Sequence, residues 1–86
     1  MAKQYNGAVY DVSRVEAENG PYEYEFVLTV DGNEVMTATT IERKYGIAFD
    51  DFSTNWTTVL YTFAEAYIDT GSEAEAVERT KREHVN

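Results

Sequence analysis

Apolar and polar side chains alternate with a period of two through Tyr22–Val30, Tyr-Glu-Tyr-Glu-Phe-Val-Leu-Thr-Val. The even positions are Tyr22, Tyr24, Phe26, Leu28 and Val30; the odd ones are Glu23, Glu25, Val27 and Thr29. Successive side chains of a strand point to opposite faces, so this pattern predicts a strand with an apolar face and a mostly polar one. Its aromatic and β-branched content suits a pleated surface, and it is expected to sit centrally in a sheet. Gln4–Ala17 alternates more weakly and predicts a first, edge strand. Glu18-Asn19-Gly20-Pro21 reads as the turn between them.

Asp31-Gly32-Asn33 is a hairpin signal leading to a third strand, Glu34–Lys44. Loop length leaves two registers for that strand. A two-residue loop puts Val35, Thr37, Thr39 and Ile41 on the core face and is favoured for its larger apolar residues. A three-residue loop puts Met36, Ala38 and Thr40 there. From Phe52 the period lengthens: Phe52, Trp56, Val59, Leu60, Phe63 and Tyr67 form one apolar stripe, predicting an amphipathic helix over Phe52–Asp69. Asp50 and Asp51 stand where its N-terminus favours negative charge, and Thr70-Gly71 ends it. Ser72-Glu73-Ala74-Glu75 is a capping box that opens a short second helix. Glu75–Arg79 and Glu78–Arg82 are i, i+4 pairs on that helix, and residues 83–86 are expected to fray. The resulting expectation is a single α+β domain over residues 1–86. A three-stranded antiparallel meander is covered on one face by the long helix, with a short C-terminal helix beside it.

A second stripe on the long helix, Tyr61, Ala64 and Ile68, lies away from the main apolar face. Two explanations stand: the C-terminal helix folds back and covers it with Ala74 and Val77, or Tyr61 and Ile68 form a partner or homodimer interface.

Composition adds the functional signal. Hydrophobic residues make up 43% and aromatic ones 14% of 86 residues, which supports a packed domain. The absence of cysteine excludes disulfides and thiolate metal sites. No apolar run reaches the ~20 residues of a membrane span and no signal segment is evident, so the expectation is a cytoplasmic protein with no membrane partner. The charge is −9 and segregated. Val15–Glu42 carries Glu16, Glu18, Glu23, Glu25, Asp31, Glu34 and Glu42 without one Lys or Arg. Ile47–Glu78 carries Asp50, Asp51, Glu65, Asp69, Glu73, Glu75 and Glu78, again without a base. Such a field repels nucleic acid and anionic membranes and attracts basic surfaces.

Catalysis finds little support. The one histidine, His84, stands near the end of the chain, and there is no phosphate loop, His/Cys metal spacing or dinucleotide fingerprint. Asp31-Gly32-Asn33-Glu34 reads as a turn, since Val35 occupies the next position of any calcium loop. The expectation is therefore a non-enzyme without cofactor or metal. Carboxylates spaced over a compact surface can stand in for the phosphates that a DNA-binding protein contacts. The uninterrupted acidic segments Val15–Glu42 and Ile47–Glu78, together with small size and lack of cysteine, resemble the small acidic inhibitors encoded by phages, the anti-CRISPR and other DNA-mimic proteins. That resemblance spans the whole chain without a diagnostic motif and transfers no residue role. It implies a binding protein that inhibits a basic, nucleic-acid-binding host protein, such as a CRISPR effector or other defence nuclease, in the host cytoplasm. The expected contacts are Glu16, Glu18, Glu23, Glu25, Asp31 and Glu34, then Asp69, Glu73 and Glu75. The alternative is a small phage or bacterial assembly module that oligomerises.

Overall fold

The computed structural model describes residues 2–16, 24–45 and 55–84. The protein is α+β, with an antiparallel sheet of four strands in the order β1-β2-β3-β4 followed by three helices. The strands are β1 (Lys3–Tyr5), β2 (Ala8–Glu16), β3 (Tyr24–Val30) and β4 (Asn33–Thr37); the helices are α1 (Ala38–Tyr45), α2 (Trp56–Thr70) and α3 (Glu73–His84).

The expected first strand is in fact two. Asn6 and Gly7 both take positive φ, 47° and 83°, and fold β1 back on β2 so that Tyr5 pairs with Ala8. A two-residue Asn-Gly loop with both φ positive matches the twist of the strands it joins. The sheet consequently has four strands instead of three, and β2 is an interior strand, not an edge. The expected turn Glu18–Pro21, together with Tyr22 and Glu23, lies outside the described residues.

Asp31 and Gly32, at φ 50° and 83°, make a second turn of the same kind, and Val30 pairs with Asn33. The loop is the two-residue one, yet Met36 is the core residue of β4. A bulge explains this: Thr29 pairs with Glu34 but Leu28 pairs with Met36, leaving Val35 as the extra residue. One inserted residue reverses the parity of everything after it. The expected core face of Val35, Thr37, Thr39 and Ile41 is thereby corrected, and only Ile41 among them is fully buried.

The expected third strand also ends early, because α1 begins at Ala38. Thr37 Oγ1 accepts the Thr40 N–H at 3.1 Å, and Glu25 Oε1 accepts the Thr39 N–H at 3.2 Å. Together they satisfy two donors that a helix start leaves open. Arg43 and Lys44 occupy the last turn, where their charge suits the helix dipole.

The long helix starts at Trp56, not Phe52, with Asn55 as N-cap accepting the Thr58 N–H at 3.1 Å. Asp50, Asp51 and Phe52 lie outside the described residues. Gly71, at φ 66°, closes the helix by donating its N–H to the Tyr67 carbonyl. Ser72 Oγ then accepts the Glu75 N–H, as the capping box predicts, and α3 runs to His84, one residue past the expected onset of fraying. Residues 85 and 86 lie outside the described residues.

Leu28 of β3, Ile41 of α1, and Leu60 and Phe63 of α2 are fully buried. Each such side chain contributes about 1.5–3 kcal/mol of transfer free energy. The core cluster extends to Tyr10, Met36, Ala64, Ala66, Ala76 and Val77, so α2 contacts the interior strands β2 and β3, and α3 packs on α2. Tyr24, expected on the core face, is instead 45% exposed, with the Arg14 guanidinium over its ring. Among the described residues no helix is long and apolar enough to cross a membrane.

Candidate functional site

The acidic residues sort into those the fold consumes and those it leaves outward. Glu25 is half-buried because it caps α1 and also accepts its neighbour Phe26 N–H. Asp69, at the end of α2, receives the Tyr5 hydroxyl at 2.8 Å, the Asn6 amide at 2.8 Å and an Arg79 guanidinium nitrogen at 3.1 Å. The Tyr5 hydrogen bond, then that of Arg79, holds the Asp69 carboxyl below the usual aspartate range. Arg79 is thus turned to Asp69 and not to Glu75 one turn back, while Glu78 pairs with Lys81 at 3.8 Å. Glu73 accepts from Lys44 at 3.5 Å and from the Tyr45 hydroxyl, tying the start of α3 to the end of α1. Burial first, then that hydrogen bond, raises the Tyr45 phenol.

Four of the acids expected to meet a partner remain more open. Glu16 is exposed at the far end of β2, paired with Tyr24. Glu34 is exposed on β4, and Glu75 is exposed in the first turn of α3. Asp31 is exposed while committing one oxygen, Oδ1, to the Val9 N–H at 2.9 Å. Glu18 and Glu23 lie outside the described residues.

The chain path places Asp31, Glu34 and Asp69 at one end of the domain. That end holds the β1–β2 turn, the β3–β4 turn and the α2–α3 junction, joined by the Asn6–Asp69 and Val9–Asp31 hydrogen bonds. Glu16 stands at the opposite end, since β2 runs from Ala8 beside the first turn to Glu16 beside Tyr24. The expected string of hairpin acids is therefore divided between two ends of the sheet.

Within the described residues the ridge of Tyr61, Ala64 and Ile68 is covered in part by the chain itself, with Tyr61 and Ile68 packed against the core cluster. Ala64 is buried, and Tyr61 packs edge-on against Tyr10 with ring centroids 5.5 Å apart. The Lys3 ammonium lies 4.4 Å from the Tyr61 ring centre, so the β1–β2 hairpin covers this residue. Of the two α3 residues expected to cover the ridge, Ala74 is exposed and Val77 is buried, together with Ala76 and Thr80. Ile68 is half-buried and lines an open cleft of about 360 Å³ with Tyr67, Val30, Val35, Asp31 and Asn33.

Sequence reading missed Tyr5 and Asn6 as partners of Asp69 and Tyr10 as the partner of Glu65. The available signals were the Asn6-Gly7 turn and the i, i+4 spacing of Tyr61, Glu65 and Asp69. A smaller groove between α2 and α3 is lined by Thr58, Tyr61, Thr62, Glu65, Arg79 and Glu83. Beside it, His84 Nε2 and Thr62 Oγ1 lie 2.9 Å apart. No group of three or more metal-binding side chains occurs among the described residues. No protein-family model matches this chain, and neither the curated proteins nor the solved structures give a significant match to it.

Proposed function

We propose that this protein acts by binding, and that it inhibits a basic, nucleic-acid-binding protein by occupying the surface that nucleic acid would use. Defence nucleases, CRISPR effectors among them, are the class of partner that this reading favours, with the cytoplasm, a host's if the chain is phage-encoded, as the place of action. The reading requires no catalytic step and no cofactor. The observation that carries it is the placement of Asp31 and Glu34, exposed together on the β3–β4 hairpin at one end of a domain of net charge −9. Carboxylates presented together offer a basic groove the charge that phosphates otherwise supply.

Duplex DNA as competitor tests this. A captured nucleic-acid-binding protein should be released by duplex DNA, and its affinity should fall steeply with salt as screening shortens to about 3 Å at 1 M. A partner that still binds DNA when saturated with this protein, at an affinity flat across salt, would count against mimicry.

The second reading, a non-catalytic assembly module, is favoured by a different observation. Val9 and Val15, 40% and 44% exposed, share one face of β2. Light scattering separates the two: self-association abolished by Val15→Lys supports the module, and a monomer at all concentrations supports the inhibitor.

A further inference from the structure

The cleft beside Ile68 has a chemistry of its own. Val30 and the bulge residue Val35 line it from the strands, and Tyr67 and Ile68 line it from α2. Ala8 contributes from the start of β2. Val35 reaches this position because the bulge removes it from the pairing that would otherwise set its direction. Asp31 and Asn33 are its polar lining residues. Asp31 is held in place: its backbone is locked in the turn at φ 50°, and Oδ1 accepts the Val9 N–H at 2.9 Å. Among the described residues no donor meets its second oxygen. None of the described residues lining the cleft is basic.

The geometry points to this cleft as the seat for a lysine side chain of the partner protein. An open cleft lined mostly by apolar side chains, with a fixed carboxylate among its lining residues, matches a long methylene stem with a cationic head, which packs the stem on apolar surface and keeps the head solvated beside the carboxylate. A purely apolar anchor would desolvate Asp31 without pairing it, and an anionic group would meet both Asp31 and the net charge of −9. The cleft also unites two features that are separate in the sequence, the acid Asp31 and the apolar Ile68. This inference rests on the reading that the partner is basic, and adds that one basic side chain is inserted, not merely attracted.

Oligolysine and an oligomer of 2,4-diaminobutyrate of equal length test it. The two carry the same charge, but the second lacks the outer half of the stem. Wild-type protein should bind oligolysine about fourfold or more tightly than the short-stem peptide, the equivalent of roughly one buried methylene. Val35→Phe, which fills the cleft, should erase that preference. Asp31→Asn, which keeps the turn and the Val9 hydrogen bond but removes the charge, should weaken oligolysine several-fold. The unsubstituted protein gives an independent readout: methyl resonances of Val30, Val35 and Ile68 should shift with oligolysine and stay still with the short-stem peptide. Equal binding of the two peptides by wild type, with unmoved methyl resonances, overturns the insertion while leaving general attraction to basic partners intact. Failure of both peptides to bind at low salt overturns the insertion and the basic-partner reading together.

Discussion

The Tyr10 hydroxyl donates to Glu65 Oε2 at 2.6 Å, joining the interior strand β2 to the middle of α2. Burial first, then this hydrogen bond to an anion, drives the Tyr10 phenol far above its ordinary pKa, so it stays a donor at any physiological pH. One turn earlier on α2, Tyr61 packs on the Tyr10 ring; one turn later, Asp69 takes the Tyr5 hydroxyl. A ladder of aromatic and acidic side chains thus fastens the β1–β2 hairpin along one edge of the helix.

Tyr10→Phe should therefore lower stability by about 1–3 kcal/mol, because it leaves the half-buried Glu65 without its donor. Urea unfolding measures this directly. A Tyr10→Phe/Glu65→Ala double variant should recover part of the loss, since the stranded carboxylate is then gone.

Phe63→Ala and Leu60→Ala should each cost roughly 2–5 kcal/mol, since both side chains are fully buried and their removal leaves a cavity. For a small domain that is much of the total stability. Thermal melting of the two variants checks it: a midpoint within a degree or two of wild type would contradict the packing of α2.

Asp69 sets an acid limit. Its folded pKa is lowered from 3.8, so the unfolded chain takes up a proton before the folded one does. The stabilisation is present in full above the unfolded value and is lost as pH falls from there through the folded one. Unfolding free energy measured from pH 5 downward should fall more steeply for wild type than for Asp69→Asn. Tyr5→Phe should flatten the profile in the same direction, since the Tyr5 hydrogen bond is the largest cause of the shift.

Glu25 and Glu34 should separate folding from binding. Glu25→Ala removes the carboxylate that caps α1 and should cost about 0.5–2 kcal/mol, read by chemical unfolding, with little change in affinity for a basic partner. Glu34→Ala should leave stability within about 0.5 kcal/mol and weaken that affinity, because the side chain is exposed at the acidic end.

Local chemistry alone determined several elements of this protein. The period of two through Tyr24–Val30, the stripe of Val59, Leu60 and Phe63, the Asp31-Gly32 turn and the Ser72 cap each arise from side chains a few residues apart, and each is legible from neighbours. Asn6-Gly7 belonged to the same class, since its signal lay in the chain. Tertiary structure decided the rest. Thr39, Thr40 and Ile41 are β-branched and favour a strand by themselves; a helix forms there because Ile41 is fully buried in the core and Glu25, 14 residues earlier, supplies a cap. The core parity of β4 was set by a bulge that no periodicity records. The fate of the acids was decided last and least locally: Asp69 meets a tyrosine 64 positions away, and Glu73 meets α1 across 28. Composition counts charge, but only the packed chain determines which carboxylates are spent inside it and which still face outward.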